Sequence, residues 1–283
     1  MIYIFTALYQ EAKPFIEYFR LKKETRNKSF QEFWDLEKEI CLVVTGVGSI
    51  PSAVAVGCVC TQYGVGEEDL LINIGTCASS CNKGTLFLGN KITDESFGRT
   101  FYPDILYKHD FCEGRIITLG KPVSGGLPDM PAEHESVLYD MEGAAVYQAG
   151  SYFFGPHRMS FLKVVSDNGD GETVTPKQVE ELMGRCAPPI IQYVRKLQEI
   201  ILVEKSQKSN LKAHTMQLIE KVCEDLCCSK TMEASVWQHF RYLLLTGVDV
   251  ETIIAGWYEE EKLPCQNRRE GKKRFEEFKE GLF

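Results

Sequence analysis

The feature that most narrows the fold is a set of short apolar runs, each cut off by glycine or polar residues. Met1–Thr6, Ile40–Thr45, Asp69–Ile74 and Phe161–Val165 are nearly continuous in apolar side chains. Runs of that length read as strands buried on both faces, which requires helices on both sides of the sheet. Candidate helices follow the first two runs. Gln10–Phe19 carries Ala12, Phe15, Ile16 and Phe19 on one side, and Pro51–Tyr63 has proline in its first turn, where proline is tolerated. Gly46-Val-Gly48-Ser49 and Gly75-Thr76-Cys77-Ala78-Ser79 read as glycine turns after strands. Strand, turn and helix recurring in that order predict an α/β sheet built mostly from crossovers. Phe30–Leu36 and Ile40–Thr45 pair as a hairpin, and Thr85–Thr93 and Arg115–Leu119 are further strands. Asp94–Gly114, with Phe97, Phe101, Tyr102, Pro103 and Tyr107, has no period and reads as an aromatic loop over a pocket or a neighbour.

Two stretches of the second half carry the chemistry. In Leu138–Val146, Asp140 stands at a predicted helix N-cap with Met141 and Glu142 in the first turn, where the helix dipole favours acids. Gly143, Ala144, Ala145, Ala149 and Gly150 give that helix a small face able to lie close to a sheet. The run Phe161–Val165 stops at Ser166-Asp167-Asn168-Gly169-Asp170, and polar groups just past strand ends are where open α/β sheets place ligands. A carboxylate at a helix start and another at a strand end are thus expected to face one crevice. From Thr175 a helix is predicted to about Glu204, interrupted early by Ala187-Pro188-Pro189. Glu204–Asn210 reads as a polar linker. Leu211–Cys228, Thr231–Leu245, Val250–Glu261 and Asn267–Lys279 follow as amphipathic helices. The expected organisation is an α/β domain over 1–203 and a helical subdomain over 211–283.

Composition excludes several classes. A net charge of −8 speaks against a nucleic-acid surface, and no apolar run is long enough to cross a bilayer. Polar residues follow Met1-Ile-Tyr-Ile-Phe5 at once, unlike a signal peptide. The eleven cysteines are odd in number and many lie in apolar runs, as free thiols in a reducing cytoplasm would. Cys223-Glu-Asp-Leu-Cys227-Cys228, even with Cys265, His214 or His239, lacks the paired spacing of zinc or iron–sulfur ligands and reads as thiols on a helix face. The run Arg268–Arg274 is interleaved with acid and reads as a solvated helix face. No metal or cofactor is expected.

Ala7-Leu-Tyr-Gln-Glu11-Ala, Thr45-Gly-Val-Gly48, Ile72-Asn73-Ile-Gly75-Thr76, Met141-Glu142-Gly-Ala-Ala145 and Val165-Ser166-Asp167 occur in that order. Together they resemble the nucleoside phosphorylase/nucleosidase superfamily, most closely its 5′-methylthioadenosine/S-adenosylhomocysteine nucleosidases, over residues 1–203. Taken singly, each has a plainer reading. Glu11 and Glu142 are acids at helix starts, Asp167 is a turn former, and Met141 is core. The resemblance implies a three-layer α/β/α domain that cleaves the N-glycosidic bond of a purine nucleoside, as a homodimer and without a metal or cofactor. In that reading Asp167 is the acid that protonates N7 of the leaving base, which calls for a raised pKa, and Glu11 is the base that readies water. Glu142 binds the ribose hydroxyls, Met141 lies against the sugar, and Thr76 and Ser166 line the site. Val123 is the candidate base contact and Phe101 the candidate wall for the 5′-substituent.

Asn73 stands where phosphorylases carry an anion-binding arginine, and no arginine lies near Gly46–Gly48, so water rather than phosphate is the expected acceptor. A phosphorylase, or a nucleoside-binding protein without catalysis, is the alternative. Three departures from the family stand out. Lys163 replaces an arginine, Gly75-Thr-Cys-Ala-Ser79 replaces Gly-Ser-Ala-Gly-Gly, and Gly120–Gly126 contains no aromatic residue to cover the purine.

Overall fold

The computed structural model describes residues 1–25, 29–123, 125–127, 136–169, 174–209 and 213–281. The chain divides into two compact units, Met1–Val203 and Glu204–Phe283. In chain order the elements are β1 (Ile2–Thr6), α1 (Tyr9–Tyr18), β2 (Lys22–Glu24), β3 (Gln31–Trp34), β4 (Ile40–Val44), α2 (Ser49–Tyr63) and β5 (Leu70–Ala78). Then come β6 (Leu86–Asp94), β7 (Arg99–Phe101), β8 (Cys112–Thr118), β9 (Val137–Asp140), α3 (Gly143–Gly150), β10 (Met159–Asp167) and α4 (Pro176–Ser209).

Strand alternation sorts the core into two layers. Ile2, Ile4, Leu42 and Ile72 point to one face, against Phe15 of α1 and Met183, Ile190 and Val194 of α4. Tyr3, Phe5, Val43 and Leu71 point to the other, against Val56 and Val59 of α2 and Val146 of α3. The result is the expected α/β/α sandwich. β1 pairs in parallel with β4 and β5, and β5 in parallel with β10. β10 runs antiparallel to β6, β6 and β8 are parallel, β8 and β9 are parallel, and β9 returns to β5 through Ala78 opposite Tyr139. Five strands, β5, β10, β6, β8 and β9, therefore close on one another.

Several sequence expectations need correction. Gly75–Ala78 is not a turn: β5 continues through it, because Gly75, Thr76 and Cys77 pair with Lys163, Val164 and Val165 of β10. The next element is β6, not a helix. Asp140 ends a strand and α3 starts only at Gly143. The side chain still caps the helix, since the Gly143 N–H donates to Asp140 Oδ2 at 2.8 Å, and a Cβ on Gly143 would come 2.8 Å from that oxygen. Pro188 and Pro189 do not interrupt α4, whose neighbouring Ala187, Ile190 and Ile191 are buried in the core and hold the segment in place. Glu204–Ser209 continues that helix, its Glu, Lys and Gln being good helix formers as well as polar. The segment read as a loop contains β7, which pairs with β6. Asp170 and the predicted helix start at Leu211 lie outside the described residues.

The second unit holds α5 (Ala213–Asp225), α6 (Lys230–Leu245), α7 (Val250–Glu259) and α8 (Arg268–Gly281). It has its own core of Ile219, Val222, Phe240, Ile254, Trp257 and Phe275. Ser229 caps α6 and Asp249 caps α7, each accepting from a backbone N–H three residues on. At the end of α5, Cys227 is left-handed (φ 52°) and the Cys228 N–H donates to Cys223 O at 3.1 Å. This Schellman turn lays Cys228 beside Cys223, which gives the Cys-x3-Cys-Cys spacing a structural origin.

Candidate active site

Strand β1 ends at Thr6, so the chain turns into α1 with Glu11 in its first turn. Glu11 is not the solvated dipole partner that an acid there usually is, being 2% exposed. Its Oε2 accepts from the N–H groups of Ala7 (3.1 Å) and Leu8 (3.0 Å), half of a capping box. Its Oε1 accepts from the Thr76 N–H at 2.8 Å and the Thr76 hydroxyl at 2.9 Å. Those four donors fill the acceptor positions of a carboxylate.

Glu142 is buried on the opposite rim, with a single described donor, the Gly48 N–H, at 2.7 Å from Oε1. Gly48 has φ +103°, a backbone that a residue with a Cβ would enter only under strain. Burial raises the Glu142 carboxyl to about 7; Asp140 adds to the rise, while Lys163 and the Gly48 N–H oppose it. Ser49 donates to the Met141 carbonyl at 3.1 Å and ties the same corner to the start of α2.

Beneath these groups lies a buried ion pair, Lys163 Nζ to Asp140 Oδ2 at 2.7 Å, with side chains 1% and 0% exposed. The Thr118 hydroxyl donates to Asp140 Oδ1 at 2.6 Å and accepts from the Ala144 N–H. Burial works against the Lys163 charge, but Asp140 and Glu142 beside it, with Glu11 further off, hold its pKa above the ordinary value. One buried ammonium thus serves three buried carboxylates. A Cβ on Gly75 would lie 3.4 Å from Glu11 Oε1 and 3.5 Å from Lys163 Nζ, so the missing side chain leaves a notch bordered by both groups.

Asp167 stands at the end of β10, half-buried rather than sealed. Its Oδ2 accepts from the Ser166 hydroxyl at 2.7 Å and its Oδ1 from the Gly169 N–H at 3.0 Å. Ser166 also reaches the Cys77 carbonyl at 3.2 Å, which fixes the turn to β5.

Glu11, Thr76, Val123, Met141, Glu142, Ser166 and Asp167 all line one cavity of about 470 Å³, a size usual for small-molecule clefts. Phe101 does not join them. Its ring stacks on Tyr147 with centroids 4.9 Å apart and packs against the core on the α2–α3 face of the sheet. The cavity also takes in Leu8, Val47, Leu119, Lys121 and Tyr139, none of which sequence reasoning singled out. Lys163 was legible only as a substitution, yet a lysine in the middle of an apolar strand signals a buried partner. Asn73 lies away from the cavity lining and donates to the Phe5 carbonyl at 3.1 Å. Among the described residues, no group of three His, Cys, Asp or Glu side chains is placed to share a metal ion.

No family profile matches the chain, and no curated protein matches it. Solved structures do. The 5′-methylthioadenosine/S-adenosylhomocysteine nucleosidase of S. pneumoniae, bound to a transition-state inhibitor, is similar over 67% of this chain and 96% of its own, at 19% identity and a TM-score of 0.53. The 5′-methylthioadenosine nucleosidase of Arabidopsis thaliana matches 71% of this chain and 95% of its own, at 19% identity and a TM-score of 0.53. The futalosine hydrolase of Helicobacter pylori matches 70% and 97%, at 17% identity and a TM-score of 0.51. The chain therefore has the fold of the nucleoside phosphorylase/nucleosidase superfamily.

Proposed function

We propose that this chain, with the fold of the methylthioadenosine and adenosylhomocysteine nucleosidases, hydrolyses the N-glycosidic bond of a purine nucleoside of that type. The observation that carries the reading is the opening of Glu11, Glu142 and Asp167 onto one cavity, from three distant parts of the chain. As the C1′–N9 bond breaks, its electron pair leaves with the purine and Asp167, entering as the acid, gives its proton to N7. The sugar becomes cation-like, and the buried carboxylates, more numerous than their one buried ammonium, stabilise it. Water in the notch at Gly75 attacks C1′ and passes a proton to Glu11. The Thr76 hydroxyl turns aside to free a lone pair on Oε1 for that water. Glu142 accepts from the ribose hydroxyls, and Met141 covers the sugar.

Water fits better than phosphate because no arginine is among the described residues lining the cavity, and Lys163 is already engaged by Asp140. Purified protein should release free base from methylthioadenosine, adenosylhomocysteine, adenosine or inosine in phosphate-free buffer. Release that depends on phosphate would instead make the chain a phosphorylase.

One observation favours a nucleoside-binding protein without catalysis: both proposed catalytic carboxylates are already satisfied by hydrogen bonds, Glu11 by four donors and Asp167 by two. Nucleoside binding with no base release would establish that reading. We also propose a homodimer formed through the exposed Ile50 and Val54 of α2, a face that runs into the cavity rim at Val47. A monomeric mass in solution at micromolar concentration would refute it. All eleven cysteines are free, as suits the cytoplasm.

A further inference from the structure

We propose that Tyr139 supplies the aromatic surface on which the purine base rests, a role that rests on the nucleosidase reading above. Among the described residues, the segment after β8, where the family places its base-covering aromatic, offers Leu119, Lys121, Pro122 and Val123 to the cavity. That segment nevertheless lies on the base side. The Gly126 N–H donates to Gly169 O at 2.7 Å, and a Cβ on Gly169 would come 2.7 Å from Val123 Cγ1, so it is laid against the turn that carries Asp167. The proton donor to the base and this wall therefore face the same end of the cavity.

The wall is apolar, formed by Ala78, Leu119, Val123 and Tyr139 in one packed cluster. Tyr139 is the one aromatic residue among the described residues lining the cavity. It is 5% exposed, and it borders the cavity. The ring is held by packing, in register beside Ala78 of β5 and Ile117 of β8, and its hydroxyl makes no hydrogen bond among the described residues. A strand has thus taken over a task that the neighbouring connection has lost. Stacking on an aromatic ring is worth roughly five- to a hundredfold in affinity per base, whatever the base's edge pattern.

The test is calorimetric adenine binding, together with KM and kcat for the best nucleoside, in wild type, Tyr139→Phe and Tyr139→Leu. Phenylalanine should keep adenine affinity and KM within about threefold, since the hydroxyl is unused. Leucine should weaken adenine and raise KM by about tenfold or more, with kcat changed far less. If leucine lowers the melting temperature but leaves adenine affinity unchanged, Tyr139 is only core and the proposal is overturned. Should Tyr139→Leu not fold, Tyr139→Met carries the same comparison. Adenine binding without turnover sinks the hydrolase and leaves Tyr139 tested; turnover with unaltered Tyr139→Leu affinity does the reverse. A wild type that binds neither adenine nor hypoxanthine overturns the Tyr139 proposal, while base release from any of the four nucleosides decides the hydrolase separately.

Discussion

The two ends of the cavity are built on opposite principles. One end is ionic and tied to backbone: Glu11 is held by N–H groups at the start of α1 and by Thr76 on β5, Glu142 by Gly48 ahead of α2, and Asp140 by α3. Each of these three carboxylates is met by the start of a helix, while Lys163 between them stands in the middle of β10. The other end is apolar and positioned by packing, with Val123 and Leu127 pressed on Gly169 and Tyr139 wedged between strands. Buried charge tolerates no looseness, because an unpaired carboxylate costs several kcal/mol, whereas an apolar wall can exchange one side chain for another of similar volume. Of the three sequence departures named above, only the aromatic-free Gly120–Gly126 belongs to the apolar end; Lys163 and Thr76 stand among the carboxylates, where each keeps a charged or hydrogen-bonded partner.

The contrast is most directly broken at Glu11 and Asp167, the proposed reacting groups. Asp167→Asn and Glu11→Gln should each lower kcat by ~10²–10⁴ while the protein stays folded, measured as base release at saturating substrate. Full activity in either variant would remove that residue from the chemistry. Next comes the ion pair. Lys163→Met leaves Asp140 without its cation and should cost about 3–5 kcal/mol of stability by urea unfolding; a loss under 1 kcal/mol would mean that the ionic end is not held by charge. The smallest effect concerns Glu142. Its carboxyl rises from 4.5 to about 7 on folding, so the folded state favours the protonated form. The associated stability is present in full below pH 4.5 and is lost as pH climbs through 7. Glu142→Gln should therefore flatten the stability profile between pH 4.5 and 8 and leave the variant more stable than wild type at pH 8, by on the order of 2 kcal/mol. An unchanged profile would contradict the burial seen for Glu142.

Much of this was legible in the sequence, for identifiable reasons. The apolar runs of β1, β4, β5 and β10 announce a sheet covered on both faces, and the carboxylates at strand and helix ends announce a crevice. What escaped are features set by pairing between distant segments. Gly75 looks like a turn in isolation and becomes a strand only because β10 pairs beside it. Val137–Asp140 looks like a helix start and becomes β9 because β8 lies alongside. Phe101, placed by its neighbours in sequence near a pocket, is claimed by Tyr147 and the core instead. Tyr139 was hidden for the same reason, since a residue assigned to a helix start gives no hint of lining a cavity.

Thr76, Asp140 and Asp167 all sit on strands of one closed circuit, in which each strand is stitched to two others. A circuit of that kind has no seam along which to spread, so the distances between its members are set by ladder rungs rather than by side-chain adjustment. Whatever yields to admit a guest must then belong to the links between strands, and these three residues keep their spacing whether the chamber is full or empty.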